Sequence, residues 1–343
     1  MLDILNREEL ITYLTDKDVI SDKEDYKLEY CKGGVSCISA LIEKSGKTML
    51  VKQGCPKLQV KEEWLADPAR MGIEAKATEY YNRYVPKSVP AVLFYDPENH
   101  VMLRDAAPGD CVMWKTDLLN GIFDFEVAKK TMEALAIVHN KCYKDPEVAK
   151  DFANDSIFYQ LRISPYIEFV LGKYPNLNEY GNVLIKRLKE RKLTLVHADY
   201  SPKNILVLRN REICILDFEI SHYGDPAFDI AFFTNHIVLK SAHLRQWSAA
   251  VLNMLLYMTD TYFNMMDYDD PKKVEEDCIK ILAMMMIARI DGKSPVEYIV
   301  CEKTKQLVRD MAMRMLNSQL KTYQETAELL YAMEKTIPPG NSE

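Results

Sequence analysis

The feature that most constrains this fold is a change of hydrophobic period along the chain. Short alternating, β-rich runs fill the first hundred residues, and helical spacing dominates after Pro108. A period of two buries one face of a sheet, whereas a period near 3.6 buries a stripe along a helix, so the two stretches call for different architectures. The pattern predicts an α+β chain in two parts: a small β-rich lobe over 1–105, and a larger, mainly helical lobe over 106–343. The segment AAPGD lacks any apolar period and suits a hinge at about 101–108.

In the first part a helix is expected over 7–14, followed by three strands in YKLEYCKGGVSCISALIEKSGKTMLVKQG joined at Lys32-Gly33-Gly34 and at Ser45-Gly46-Lys47. A helix follows over 68–84, with Asp67 as N-cap and Pro68 in its first turn, and then two strands, AVLFYD and HVMLRD. In the second part helices are expected at FEVAKKTMEALAIVHNKCY, 178–190, 225–240, 244–266 and 272–290, with two more in 302–331. One compact stretch breaks this helical run. LTLVHADYSPKNILVLRNREICILDFE reads as strand, polar loop, strand, a turn at Arg209-Asn210, strand and polar end. The tail PPGNSE is expected to fray.

Composition bounds the partners. The chain of 343 residues carries a net charge of -7, which argues against nucleic acid or an anionic membrane, since both need clustered Lys and Arg to displace counterions. No stretch of about 18 apolar residues is present to span a bilayer, and the N-terminus lacks a basic segment followed by an apolar one. Eight cysteines with no C-x-x-C pair read as reduced, mostly buried thiols of a cytoplasmic protein. A homodimer is compatible with the sequence and not readable from it.

The polar loop inside the helical part is where chemistry is expected. His197-Ala198-Asp199-Tyr200-Ser201-Pro202-Lys203-Asn204 sets an Asp five residues ahead of an Asn, and Asp217 ends an apolar strand thirteen residues later. Phosphoryl transfer needs a carboxylate to orient and deprotonate the attacking hydroxyl, and hard oxygen ligands to hold Mg²⁺ on a nucleotide. Asp199 suits the first task, Asn204 and Asp217 the second. Glu219 lies on the same side of an extended segment as Asp217 and adds a further oxygen. In the first part, Gly33 and Gly34, with Ser36 beside them, would let the backbone approach phosphates, and Lys52 on a strand can reach them. Glu74 on the following helix is the expected partner of Lys52, with Glu79 and Glu63 as alternatives.

HADYSPKNILV, followed by ILDFE and YGDPAFDIAFF, resembles the phosphotransferase family of aminoglycoside kinases, choline and ethanolamine kinases and methylthioribose kinase, and the match runs over nearly the whole chain. KGGVS, VKQGCPKLQVKEEWLADPARMGIEA, RISPY and ARIDGKSPVEY resemble an uncharacterised bacterial group of such proteins. The resemblance implies a bilobal protein-kinase-like fold, ATP bound against the hinge near Leu103 and Asp105, and Mg²⁺ at Asn204 and Asp217. It implies a small-molecule hydroxyl acceptor, with Lys203 placed to neutralise the γ-phosphate, and a scaffolding role for His197 and Asp229. Two departures stand out. Ala198 occupies a position where Gly is usual in aminoglycoside and methylthioribose kinases, and the loop Tyr200-Ser201-Pro202-Lys203 is unlike that of methylthioribose kinase.

Trp114, Arg162, Tyr166, Tyr200, Arg289, Asp291 and Lys293 lie in segments shared with that group and away from the nucleotide elements, which makes them candidates for the acceptor pocket. The same DGKSP segment also reads as a helix stop followed by a turn. Met284-Met285-Met286 reads as adaptable core filling. The expected activity is a small-molecule kinase acting on a sugar or sugar-derived metabolite. An aminoglycoside or choline-like amino alcohol is the alternative acceptor, and a silent nucleotide-binding module the alternative of another class. A protein acceptor is disfavoured, since only the seven residues from Phe218 to Gly224 separate Asp217 from Asp225 and leave little room for a peptide-docking loop.

Overall fold

The computed structural model describes residues 2–20, 26–31, 37–44, 46–56 and 66–336. The expected turns at Lys32-Gly33-Gly34 and Ser45, together with Gly33, Gly34, Ser36 and Glu63, lie outside the described residues. The chain forms two compact units: Met1–Gly109 with Cys214–Ile220, and Asp110–Ile213 with Ser221–Glu343. A single cut after residue 105 therefore misses one feature, because the short segment bearing Asp217 and Glu219 packs with the first unit.

In the first unit, helix α1 (Arg7–Asp16) is followed by strands β1 (Lys27–Tyr30), β2 (Cys37–Lys44) and β3 (Lys47–Gly54), helix α2 (Arg70–Tyr84), and strands β4 (Val92–Asp96) and β5 (Val101–Asp105). The strands form one antiparallel sheet in the order β1-β2-β3-β5-β4. Strand alternation decides what faces where. Ala40, Ile42, Val51, Val101 and Leu103 join Leu10 and Leu14 of α1 in one buried cluster, so Lys52, one residue past Val51, is turned to the opposite face. Asp67 caps a turn rather than the helix itself: its carboxylate accepts from Ala69 N at 2.9 Å, and α2 begins at Arg70.

The second unit opens with β6 (Val112–Met113), α3 (Trp114–Leu119), α4 (Phe125–Cys142) and α5 (Pro146–Asp151). α4 starts where Asp124 accepts from Glu126 N and Val127 N, and it buries Val127, Thr131, Leu135, Val138 and Cys142 at helical spacing. Then come α6 (Ser156–Phe158), a π-helical stretch at Tyr159–Glu168, α7 (Phe169–Lys173) and α8 (Asn178–Glu190). Pro165 sits inside the π-helical stretch, where its missing N–H and its ring disfavour the regular α ladder. Strands β7 (Thr194–Val196) and β8 (Ile205–Val207) flank the polar loop, and β9 (Ile213–Ile215) carries the chain into the first unit. β10 (His222–Gly224) pairs with β7, and β6 with β8. The helices α9 (Ala227–His243), α10 (Ser248–Met265), α11 (Pro271–Asp291), α12 (Glu302–Leu316) and α13 (Tyr323–Thr336) complete the unit. Met284, Met285 and Met286 are wholly buried in α11, as core filling requires.

No disulfide joins the cysteines; four of the eight are buried, and Cys31 and Cys301 are exposed, so the thiols are less uniformly interior than expected. Among the described residues, no helix is long and apolar enough to cross a membrane.

Candidate active site

The first unit builds a charged cluster on the face of its sheet away from α1. Lys52 Nζ donates to both carboxylate oxygens of Glu74, at 2.6 and 2.7 Å, and lies 3.6 Å from Asp217 Oδ1. Burial opposes the ammonium, but Glu74 outweighs that cost and raises its pKa, so Lys52 is a fixed cation. Glu79, one of the two alternatives, is exposed on the other side of α2. Arg70 lies one turn before Glu74 on the same face and is fully buried. Its Nε donates to Glu219 at 3.0 Å and its other nitrogens donate to the carbonyls of Cys55, Ala66 and Asp67. This arginine was not singled out from the sequence, although its spacing from Glu74 is the kind of signal that marks a shared helix face.

Two contacts hold the Asp217 segment in this unit: Ile215 N donates to Ser88 O at 2.7 Å, and Phe218 packs on Tyr81 with ring centres 4.7 Å apart. Asp217 has φ +72°, a left-handed conformation that costs a non-glycine residue about 1–2 kcal/mol. Glu74, Asp217 and Glu219 each offer a carboxylate oxygen within 4.8 Å of the others, a hard-oxygen set whose chemistry fits Mg²⁺. Glu74 and Glu219 are already engaged by Lys52 and Arg70, and Asp217 is the most exposed of the three, which leaves it as the candidate for a direct ligand. Burial, then Asp217, raises the Glu219 pKa. Leu103 and Asp105 offer less than expected as side chains: Leu103 is wholly buried in the core, and Asp105 pairs with Lys47 at 3.5 Å.

In the second unit the polar loop is clamped from below. Asp229, at the start of α9 and fully buried, accepts from the backbone N–H groups of His197 and Ala198, both at 2.7 Å, and its Oδ2 lies 3.3 Å from His139 Nε2. The clamp holds Ala198 at φ +62°, which is the physical reason a glycine suits this position. Asp199 N then donates to His197 Nδ1 at 3.2 Å, and the Asn204 amide donates to the Asp199 carbonyl at 2.9 Å and its Oδ2 at 2.8 Å. That orientation leaves the Asn204 carbonyl oxygen as its candidate metal ligand.

The Asp199 carboxylate pairs with Arg162 through one oxygen and with Lys203 Nζ at 2.9 Å through the other. Burial works against its charge, but Arg162 first and Lys203 next outweigh it and hold the carboxyl well below the usual range. Arg162 also donates from Nε to Ala198 O at 2.7 Å, so it positions the loop as well as charging it. Its guanidinium lies over the Tyr166 ring at 5.4 Å, and the Tyr166 hydroxyl accepts from Arg289 at 3.1 Å.

The remaining pocket candidates separate. Tyr200 is a correction: it is wholly buried, and its hydroxyl donates to Thr131 O at 2.6 Å, so it anchors the loop on α4. Asp291 is another, since its carboxylate is taken up by Arg309 and Tyr174, which close the end of α11. Lys293 is exposed, with Nζ 5.7 Å from the Phe169 ring centre, and lies apart from the buried groups. Trp114 is buried against Phe233, with ring centres 5.8 Å apart.

The comparisons agree with this geometry. Residues 171–265, which hold the polar loop, Asp217 and Asp229, match the model of the phosphotransferase enzyme family. A methylthioribose kinase of Pectobacterium atrosepticum is 25% identical over 238 residues, covering 61% of this chain and 58% of that enzyme. The chain thus spans about three fifths of the length of the curated relatives it matches. An ethanolamine kinase from Plasmodium vivax shares the fold at a TM-score of 0.55 and 12% identity, over 96% of this chain and 88% of that one. A choline/ethanolamine kinase family protein from Mesorhizobium loti does so at 0.51 and 13%, over 96% and 93%. The clamped loop lies within the segment that matches the phosphotransferase enzyme family, and the chain shares the protein-kinase-like fold of these kinases.

Proposed function

We propose that the protein transfers the γ-phosphoryl group of ATP to a hydroxyl of a small molecule such as a sugar or sugar-derived metabolite. The observation that carries this reading is the Asp199 arrangement: a buried carboxylate on a clamped loop, with Asn204 bonded to it five residues on. In the reaction a bond forms between the acceptor oxygen and the γ-phosphorus, the bond from that phosphorus to the ADP oxygen breaks, and the hydroxyl proton leaves through Asp199. A carboxyl held so far below its usual range is a weak base. Its main work is therefore to orient the hydroxyl, which suits a loose transition state in which the proton is lost late.

Lys52, fixed by Glu74, binds nucleotide phosphate oxygens. Lys203 offers a charge to the transferred group. Asp217, with Glu219 beside it, is the metal ligand of the first unit and Asn204 that of the second. Mg²⁺, when bound with the nucleotide, neutralises phosphate charge. The names of the relatives, for methylthioribose and ethanolamine, support a small alcohol as the acceptor class.

The test is ADP release from MgATP across sugars, methylthioribose, nucleosides, amino alcohols and aminoglycosides, with Asp199→Asn alongside. Release with one acceptor class that vanishes in the variant is expected. MgATP binding with no acceptor-dependent release from any member would favour a silent nucleotide-binding module instead.

A further inference from the structure

Phe232, Phe233, His236 and Lys240 fall on one face of α9 by helical spacing. Phe232 carries Arg162 on its ring at 5.0 Å and meets the His236 ring at 5.3 Å. This face thus runs from the partner of Asp199 to a fully buried lysine. Lys240 Nζ donates to His236 O at 3.2 Å and sits 5.3 Å from the centre of the Tyr298 ring. No carboxylate among the described residues lies within ion-pair distance of it. Arg289 is in the same position: its bonds go to Tyr166, to the Ser294 hydroxyl at 2.9 Å and to the Ser294 carbonyl, all neutral. The neighbouring cations each touch a carboxylate: Arg162 and Lys203 share Asp199, and Lys115 meets Glu297.

Glu297, paired directly with Lys115, reaches both only at longer range, and two buried cations with no carboxylate in contact are among the costliest groups a fold can hold. Orphaned polar atoms lie around them. Arg289 Nε, Trp114 Nε1 and the Tyr298 hydroxyl are buried with no hydrogen-bond partner among the described residues, and so is His236 Nε2. The first two can only donate and the hydroxyl can donate, so what is missing is an acceptor. Burial, then Lys115, with Arg289 adding to them, outweigh the opposing pull of Glu297 and bring the Lys240 pKa down to about 7, so an arriving negative charge would find an amine ready to take a proton.

We propose that the acceptor is an anionic alcohol, whose phosphate or carboxylate group is held by Lys240 and Arg289 while its hydroxyl is presented to Asp199. The inference rests on the kinase reading and narrows it. A phosphate or carboxylate brings only oxygen acceptors and negative charge, the two things this cluster lacks. The same two cations repel a choline-like or aminoglycoside amine.

Inorganic phosphate is the first probe, read by thermal unfolding of the full chain. It should raise the Tm of the wild-type protein and of Lys52→Met, but not of Lys240→Met, while Lys240→Arg keeps the response. Without phosphate, Lys240→Met should unfold at the same or a higher temperature, because it removes an uncompensated buried charge; a purely structural lysine would give a lower one. Arg289→Gln, which keeps a polar side chain, is the second variant and should also weaken the response.

Ribose, ribose 5-phosphate, ribonate, glucosamine and choline then separate the sources by MgATP-dependent ADP release. A phosphate- or carboxylate-bearing sugar should be preferred, and Lys240→Met should raise its KM about tenfold or more with little change in kcat. Equal phosphate stabilisation of Lys240→Met and wild type, loss of the response in Lys52→Met instead, or release with neutral or cationic members alone would each overturn the proposal. A phosphate response dependent on Lys240 in a protein that transfers no phosphoryl group would sink the kinase reading and leave the anion site standing.

Discussion

Replacing Asp229 with alanine removes the one carboxylate that serves two buried backbone donors, His197 N and Ala198 N, each at 2.7 Å. Asp229, His197 and Ala198 are all wholly buried, so water is poorly placed to take over the lost bonds. Hydrogen bonds to a charged acceptor contribute about 1.5–3 kcal/mol each, which sets the expected loss at about 3–6 kcal/mol, a large share of the 5–15 kcal/mol available to a typical domain. Ala198 adds to this, because its left-handed backbone carries a strain of about 1–2 kcal/mol and without the clamp would be held only by the Arg162 bond to its carbonyl. Urea unfolding followed by tryptophan fluorescence, with the m-value checked for constancy, measures the loss. The double variant Asp229→Ala with Ala198→Gly should recover part of it, since glycine adopts that conformation freely. ADP release should fall with the clamp, as Asp199 loses its fixed position. A loss below about 1 kcal/mol, or an intact rate in a destabilised Asp229→Ala protein, would refute the reasoning that this carboxylate sets the loop.

Other consequences follow from the same charges. Lys52→Met should cut ADP release by about a hundredfold or more, and should also destabilise the first unit by leaving Glu74 buried without its cation; steady-state assay and urea titration check the two effects separately. Arg162→Ala removes the main force holding the Asp199 carboxyl down, so the acidic limb of the pH–rate profile should move to higher pH, while an unmoved limb would assign that limb to another group. Lys240 is held near 7 against an ordinary value of 10.5, so the unfolded chain binds the extra proton and stability should rise between about pH 7 and 10.5; Lys240→Met should flatten that rise in thermal unfolding scans.

Periodicity made most of the elements legible. β2, β3, β5, α4 and α8 fall where alternation and helical spacing placed them, because each is long enough or regular enough to show its buried face. The short β6 and β10, α3, and the π-helical stretch were not read: two- and three-residue strands carry no period, and Pro165 in RISPY looks like a break rather than a widened helix turn. The pairing of Lys52 with Glu74 was legible from their order along the chain, and the polar loop that holds Asp199 and Asn204 from its residue types and spacing. The acceptor side was not, and Tyr200 and Asp291 show why. Each has a polar group that suits a pocket, and each has that group bonded to a neighbour distant in sequence.

The sequence by itself determined that a β-rich part precedes a helical one and that a polar loop flanked by short strands lies within the second, since local period and motif spacing depend on near neighbours along the chain. Only the tertiary structure decided which charges are paired. Arg70 meets Glu219 across 149 positions and Arg162 meets the Ala198 carbonyl across 36, while among the described residues Arg289 and Lys240 have no carboxylate in contact. The energy of a buried charge is set by the groups around it in space, and no local pattern specifies those.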